Sequence, residues 1–312
     1  MAQLSLQHCR GYLSGSACIQ CWGDHMSFAF PRFGKTLSLA VLAAAASLST
    51  FAQAADDTFA RVMQSKKLTV GYIPYDDLTK RDLESGKIVG FFPDVIQAIA
   101  KDAGIAPENI TYVATDWANF AVGLHAQKYD ISISGTFKTI PRATAAAFTQ
   151  PLFYLGNSAI ALKDDARFAN ITDIMQLDQA GLTIAVVSGE QSHDFVKQRF
   201  KNATIKVVKS ADLSTGLMEV TSRRADIALS DHYVVKAFAA KNPNVVDVFA
   251  DKPWNLQPIA WAVKSDDQRM LNFLNASLEY LQSTGRLGEI MAKPEYASVP
   301  FMMPETTLKT AN

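Results

Sequence analysis

The stretch YDISISGTFKTIPR, residues 129–142, combines a strand, a turn and the start of a helix. Isoleucine alternates with serine up to Ser134, as is typical of a strand, and Gly135 follows. Thr139 and Pro141 fit the N-cap and the first turn of a helix. Arg142 then lies near the positive end of a helix dipole, where a bound anion would offset the cost of placing a cation. An anion-binding arginine and a merely structural one both remain open.

Strand and helix patterns alternate outward from this stretch towards the amino terminus. Leu68 to Ile73 and Ile110 to Val113 are rich in β-formers, whereas Phe92 to Ile99 and Phe120 to Leu124 have apolar residues at helical spacing. With the strand at 131–134, this β-α-β-α-β order favours a parallel or mixed sheet with helices on its faces.

The second half of the chain repeats the pattern. Leu182 to Val186 resembles Leu68 to Tyr72, and Arg224 to Ser230 resembles Lys128 to Ser134. These echoes predict two lobes built on one plan. A strand at 259–263 and an amphipathic helix ending at Gly285 follow, and the prolines from residue 294 onward predict an irregular, frayed tail.

Composition and motifs exclude several classes of protein. The 312 residues contain 30 Lys and Arg and 30 Asp and Glu, so no basic footprint for nucleic acid exists, and 48% of the residues are hydrophobic, too many for a disordered chain. The G-x-S-x-G, H-E-x-x-H and phosphate-loop motifs are absent, and the histidines lack the spacing of metal ligands. We therefore expect no catalytic residue, no metal and no cofactor.

Residues 1–54 have the features of an upstream extension followed by a secretory signal peptide. Arg32 and Lys35 form a basic segment, Thr36 to Phe51 is uncharged and apolar, and Ala52-Gln53-Ala54 suits signal peptidase. We expect cleavage after Ala54 and a true start at Met26. All three cysteines precede the cleavage point, so the exported chain would contain none.

Two further loops carry candidate binding residues. Ser188-Gly189-Glu190-Gln191-Ser192 follows a strand and precedes a helix, so it is either an anion-binding loop or a plain turn with Ser192 as the N-cap. Asp231 ends a strand on the edge where ligands bind in open α/β sheets.

Ordered motifs across residues 68–290 resemble the periplasmic solute-binding proteins of amino-acid ABC transporters, the bacterial extracellular family 3. They are Gly90-Phe91 with Asp94, then Trp117, the strand at 129–135, Thr139 with Arg142, and Phe148-Thr149-Gln150-Pro151. The resemblance implies an α/β protein with the type II periplasmic binding protein fold, in which two crossover strands join two lobes around a ligand cleft. Lobe 1 would comprise 56–151 and 259–300, lobe 2 would comprise 157–253, and 301–312 would be an irregular tail.

The resemblance also assigns roles to single residues. Arg142 would bind the α-carboxylate of an amino acid, assisted by Gly135 and Phe137 of the preceding loop. Asp231 would bind the α-ammonium group. The remaining expected ligand-binding residues are second-lobe loop residues that would cap the carboxylate and aromatic residues of the pocket wall: Gln191, Ser192, Tyr75 and Trp117. Trp117 could instead be a core aromatic residue, and Tyr72 is an alternative to Tyr75.

Three positions depart from the family pattern. Thr79 replaces a phenylalanine that stacks on the ligand, Phe137 stands where threonine is common, and Glu190 places an acid beside the expected carboxylate site. The resemblance predicts a monomeric periplasmic protein that closes around an amino acid or similar zwitterion and delivers it to an inner-membrane permease. The alternatives are a periplasmic cyclohexadienyl dehydratase with Glu190 as its acid, and a sensor partner of a membrane receptor.

Overall fold

The computed structural model describes residues 57–303, so the predicted signal peptide, the predicted start at Met26 and residues 304–312 lie outside it. The strands are β1 Leu68–Tyr72, β2 Lys80–Arg81, β3 Ile88–Val89, β4 Ile110–Ala114, β5 Ile131–Phe137, β6 Ala147–Phe148, β7 Phe153–Leu162, β8 Thr183–Val187, β9 Thr204–Val208, β10 Ile227–Asp231, β11 Val245–Asp247 and β12 Trp254–Val263. The helices are α1 Thr58–Ser65, α2 Phe91–Asp102, α3 Phe120–His125, α4 Ile140–Ala143, α5 Gln191–Arg199, α6 Ser214–Thr221, α7 His232–Lys241, α8 Gln268–Ser283 and α9 Arg286–Met291. None of these helices is long and apolar enough to cross a membrane.

Within residues 57–303, ten strands form one curled, mixed sheet in which two parallel halves are joined by an antiparallel pair. The order is β4-β1-β5-β12-β7-β10-β8-β9, with β6 added to β12 and β11 added to β7. Strand β1 is parallel to β4 and β5, and β8 is parallel to β9 and β10, whereas β12 and β7 run antiparallel to each other. The two halves are the lobes, and β7 and β12 are the strands that join them.

Strand β5 is buried on both of its faces. All seven of its residues are buried, as is usual for strands in parallel sheets, where both faces are covered. Near the end of β5, Gly135 has a left-handed φ of 63°. A Cβ added at this position would lie 2.2 Å from the Phe92 ring. Only glycine fits both this backbone conformation and the space beside Phe92. Gly135 therefore fixes the path of the chain from β5 towards α4.

The joining strands contain an irregularity between the lobes. The register of β7 with β12 shifts between Trp254 and Gln257, and Asn255 has a left-handed φ of 54°. The Asn255 side chain donates to Asn157 Oδ1 at 3.2 Å and accepts from Gln257 Nε2 at 2.8 Å. A bulge held by side-chain amides therefore lies where the chain crosses between the lobes.

The segment after α9 is held against the first lobe. The Tyr296 hydroxyl donates to Asp94 at 2.7 Å, the Tyr154 amide donates to the Met302 carbonyl at 2.7 Å, and the Phe301 ring lies 4.8 Å from that of Phe91. Fraying is therefore not observed over residues 294–303. The residue boundaries given above for the lobes remain a prediction.

Candidate functional site

Arg142 lies at the junction of the two lobes and spans it with its guanidinium. Thr139 Oγ1 caps α4 by accepting from the Arg142 amide at 3.4 Å, as its position before Pro141 predicted. The guanidinium is buried and donates to the Phe137 carbonyl at 3.2 Å within its own lobe and to the Gly189 carbonyl at 2.7 Å in the other. Burial lowers the pKa of Arg142, although Asp194, 3.7 Å away, opposes this shift.

Glu190 is a buried carboxyl on the opposite side of this junction. It is the N-cap of α5, and it accepts from the Ser192 amide at 2.9 Å and from the Ser192 hydroxyl at 3.3 Å. The alternative in which Ser192 is the N-cap is therefore wrong, because the glutamate side chain reaches back to the free amide of the first turn. Burial raises the pKa of Glu190 from 4.5 to about 8; the charge of Asp231 adds to the shift and that of Arg142 opposes it.

Asp231 is the second buried carboxyl of the site. It caps α7, with Oδ1 accepting from the Val234 amide at 2.9 Å, while Oδ2 accepts from the Tyr75 hydroxyl at 2.7 Å. Burial raises the pKa of Asp231 to about 6, and the hydrogen bonds from Val234 and Tyr75 oppose the shift. Neither Asp231 nor Glu190 forms an ion pair within 4 Å with any residue of the range 57–303.

Tyr75 and Trp117 bring aromatic rings to the same place. Their ring centroids are 5.3 Å apart in an edge-on arrangement, and the Tyr233 ring lies 6.2 Å from that of Tyr75. The Trp117 indole donates to the Ala211 carbonyl of the second lobe at 3.0 Å. Tyr75 rather than Tyr72 is the first-loop tyrosine that reaches Asp231, since Tyr72 packs on Tyr112.

The other predicted residues surround this group. Phe137 reaches Arg142 through its carbonyl, while its side chain is buried, and Gly135 lies against Phe92. In the first turn of α5, Gln191 Oε1 is buried and has no hydrogen-bond partner within the described range. Ser192 Oγ accepts from Asn157 Nδ2 at 3.0 Å.

The Ser188–Ser192 loop does not present a free row of amides. The Gly189 amide donates to His193 Nδ1 at 3.2 Å, the Glu190 amide donates to the Val187 carbonyl, and the Ser192 amide is capped by Glu190. An anion at this junction would therefore depend mainly on Arg142.

Two features of the site carry no clear sequence signal. Tyr233 and Asp77 exchange hydrogen bonds across the lobes at 3.1 Å, and Ser298 also donates to Asp77 at 2.9 Å. Asn157 links the joining strand β7 to Ser192, and through Asn255 to Gln257, so hydrogen bonds run from the bulge to the Glu190 carboxyl. The only hint for Tyr233 is its position two residues after Asp231.

Cavities remain between the lobes beside these contacts. A groove of about 640 Å³ is lined by residues 114–116, 118 and 119 of the first lobe and by Ser188 and residues 209–211 of the second. A smaller cavity of about 240 Å³ is lined by Tyr75, Asp76 and Lys80 on one side and by residues 212–214 and Val234 on the other. No three His, Cys, Asp or Glu side chains within residues 57–303 are grouped as ligands for a metal ion.

Known proteins resemble the chain over most of its length. Cyclohexadienyl dehydratase from Pseudomonas aeruginosa is 26% identical over 271 residues, which cover 85% of this chain and 95% of that protein. A probable amino-acid ABC transporter-binding protein from Haemophilus influenzae is 26% identical over 255 residues, with 80% and 93% covered. The crystal structure of an ancestral amino acid-binding protein, a precursor of cyclohexadienyl dehydratase, matches with a TM-score of 0.65 and 26% identity over 75% of this chain and 97% of that one.

These similarities confirm the predicted fold class, the type II periplasmic binding protein fold with two α/β lobes. The family model for bacterial extracellular solute-binding proteins, family 3, matches residues 68–293 and includes both lobes and the joining strands. The chain therefore belongs to the bacterial extracellular solute-binding proteins of family 3.

Proposed function

We propose that this protein captures an amino acid or a closely related zwitterion in the periplasm and closes around it for delivery to an ABC importer. The observation that carries the proposal is a buried guanidinium, Arg142, at the junction of two lobes, with a buried carboxylate, Asp231, in the same cleft. These two charges suit the carboxylate and the ammonium group of one small molecule. Relatives named as amino-acid-binding proteins of ABC transporters support the same function.

Ligand binding would replace contacts that the protein now makes with itself. The α-carboxylate would take the place of the Gly189 carbonyl at Arg142, aided by the loop at Gly135 and Phe137. The α-ammonium group would take the place of the Tyr75 hydroxyl at Asp231. Tyr75 and Trp117 would then form the pocket wall, with Gln191 and Ser192 above the carboxylate. Because these groups come from both lobes, ligand binding would favour the closed form.

Isothermal titration calorimetry against a panel of amino acids tests this proposal. We expect one chemical group of amino acids to bind, and Arg142→Ala to weaken that binding by roughly 100-fold, as expected for loss of a buried charged partner. Arg167→Ala, which removes an exposed ion pair with Asp165, is the matched control and should leave the affinity unchanged. Unchanged affinity in folded Arg142→Ala would contradict the assigned role.

A dehydratase is the second candidate, and the protonated state of Glu190 favours it. A carboxyl whose pKa is raised to about 8 by burial holds its proton at neutral pH and can serve as a general acid. In prephenate, loss of carbon dioxide supplies the electron pair that expels the ring hydroxyl, and Glu190 would give that hydroxyl its proton, so that water and phenylpyruvate form. Phenylpyruvate production that disappears in Glu190→Gln would establish this activity, and a lack of turnover by folded wild-type protein would exclude it.

The partners and location follow from the same proposal. The exported chain would act as a monomer in the periplasm after cleavage behind Ala54, and an inner-membrane permease would receive its ligand; a sensor role with a membrane receptor is the remaining alternative. Amino-terminal sequencing of the exported protein tests the location. A protein that begins at Ala55 is expected, whereas a protein that retains residue 1 would contradict the proposed cleavage.

A further inference from the structure

We propose that Glu190 makes the cleft selective for an amino acid with a second positive charge, of the diamino or guanidino type. This inference rests on the proposed amino-acid-binding function and names the ligand class of the same site. The basis of the inference is the set of ionisable side chains that are buried in the cleft: Arg142, Glu190 and Asp231.

The cleft contains one buried cation and two buried acids. Arg142 is 7% exposed, Glu190 is 2% exposed and Asp231 is 1% exposed. Hydrogen bonds place them at the same junction. Arg142 donates to the carbonyl of Gly189, the residue before Glu190, at 2.7 Å. Asp231 accepts from Tyr75 of the first lobe at 2.7 Å. Arg142 forms its one ion pair within residues 57–303 with Asp194, whose side chain is 39% exposed, and both acids lack a cation within 4 Å in that range. The neighbouring His232 adds no charge near neutral pH, because burial lowers its pKa.

The net charge of the ligand determines whether both buried acids, Glu190 and Asp231, obtain a positively charged partner. In a simple zwitterion, the carboxylate is neutralised by Arg142 and the ammonium group by Asp231, which leaves Glu190 buried without a counter-charge. An unpaired buried carboxylate is unfavourable unless it keeps a proton. A second ammonium or a guanidinium group on the ligand would pair with Glu190 and remove that cost.

The hydrogen-bonding groups and the rings of the cleft also suit a cation. Glu190 Oε1 receives only the 3.3 Å hydrogen bond from Ser192 among the described residues, so it can accept more. The Tyr75 ring, with those of Trp117 and Tyr233 within 5.3 and 6.2 Å, provides aromatic faces that favour a cation. Acceptors and aromatic faces are thus present in a cleft where Arg142 is the one buried cation among the described residues, while Lys80 and Lys209 line the more open cavities.

Calorimetry with matched ligands tests the inference. Lysine, ornithine and arginine are compared with glutamine, which has a similar length but no second charge, and with glutamate. We expect the cationic ligands to bind at least about tenfold more tightly than glutamine, as expected for an added buried ion pair. Glu190→Gln should abolish this preference, whereas Glu108→Gln, which changes an exposed carboxylate at the other edge of the sheet, should keep it. Glu190→Asp, which retains the charge, should keep the preference if Glu190→Gln fails to fold.

The outcomes separate this inference from the proposed function. If glutamine binds as tightly as lysine, or if Glu190→Gln retains the cationic preference, Glu190 does not set the ligand class, although amino-acid binding stands. If no amino acid binds to the folded protein, the proposed function itself fails. Turnover of prephenate by the wild-type protein would instead assign the Glu190 proton to catalysis and overturn the inference.

Discussion

The two roles of Glu190, as a helix cap and as a buried residue of the cleft, favour opposite charge states of its carboxyl group. As the N-cap of α5 it satisfies the Ser192 amide, which favours a charged carboxylate at a helix amino terminus. As a fully buried side chain near Asp231 it favours the protonated form, and this influence is the stronger, because its pKa is raised to about 8. Glu190, one of the three residues that depart from the family pattern, is therefore subject to two opposing influences: the helix cap favours its charged form and burial favours its neutral form.

The first prediction concerns the stability of Glu190→Gln as a function of pH. The folded pKa of about 8 lies above the ordinary value of 4.5, so the stabilising effect of the bound proton is present below about pH 4.5 and is lost as the pH rises through 8. Glutamine needs no proton. The midpoint of thermal unfolding of Glu190→Gln, relative to wild type, should therefore increase from about pH 5 to about pH 8.

Differential scanning calorimetry without ligand measures this difference at each pH. Glu108→Gln, at an exposed position, should show no such trend. A difference between Glu190→Gln and wild type that stays constant over the range would mean that Glu190 is ionised in the folded protein.

At the scale of single residues, the sequence predicted interactions between neighbours in the chain but not those between residues far apart in it. Thr139, Pro141 and Arg142 lie within four residues of one another, so their capping arrangement follows from ordinary helix rules. The Tyr75 hydroxyl bonds to Asp231, which lies 156 residues further along the chain. The sequence named both residues through the family resemblance, but it could not show that they bond to each other.

At the scale of elements, α7 depends on the same carboxylate that the site uses. Asp231 accepts from the Val234 amide in the first turn of α7, and this bond is independent of the bond from Tyr75. The helix that forms one wall of the cleft is therefore anchored by the expected ammonium-binding residue. Changes at Asp231 act on both the fold and the site, and a pair of variants can separate the two effects.

The second prediction uses Asp231→Asn and Asp231→Ala. Both remove the charge, but only asparagine keeps an oxygen that can accept from the Val234 amide. We expect Asp231→Ala to be less stable than Asp231→Asn by about 1 kcal/mol, the usual value of an N-cap. Urea unfolding measures the difference. Ligand affinity should fall to a similar extent in both variants, and equal stability of the two would show that the cap contributes nothing.

Strand and helix periodicity predicted most elements, whereas the bulge in β12 was not predicted. The continuous apolar run from Ile259 to Val263 marks the second half of that strand, but the register shift at 254–257 leaves no periodic signal. Asn255 adopts a left-handed conformation that asparagine tolerates better than most residues. Because one asparagine in a strand is compatible with ordinary geometry as well, the sequence alone could not identify the irregularity.

At the scale of the whole molecule, the two lobes meet closely at Gly189. A Cβ on this residue would lie 2.6 Å from backbone atoms of Ala118 in the other lobe. Gly189 also has a left-handed φ of 78°. Any larger residue would therefore meet two separate obstacles, one in its own conformation and one in the closed arrangement of the lobes.

The third prediction separates these obstacles with Gly189→Ala and Gly181→Ala. Gly181 has a similar φ of 87° but no atom within 4 Å of its added Cβ. Both variants should lose about 1 kcal/mol of stability from left-handed strain. Only Gly189→Ala should hold the lobes apart, which would increase the radius of gyration in small-angle scattering and weaken ligand binding. Equal scattering curves for the two variants would show that the Gly189–Ala118 contact does not limit closure.

The fold class could be predicted because it depends on the order of many motifs, and chance matches at single motifs matter little. The closed contacts could not, because each depends on the final placement of two lobes. The hydrogen bond from Trp117 to the Ala211 carbonyl and that from Tyr233 to Asp77 both cross this interface. Every residue has a backbone carbonyl, so the sequence cannot indicate that the Ala211 carbonyl is the acceptor for Trp117. Trp117 could therefore be predicted only as a residue of the pocket wall or of the core.

The amides of Asn157, Asn255 and Gln257 give the bulge a further consequence. They connect the joining strand to Ser192, and Ser192 bonds to the Glu190 carboxyl. Each amide can donate and accept only in one orientation at a time, so reversing one reverses the polarity of the next. A change in the charge of Glu190 would therefore act, through these hydrogen bonds, on the strand that joins the lobes, and we expect the side-chain amide protons of Asn157, Asn255 and Gln257 to report ligand occupancy from outside the pocket.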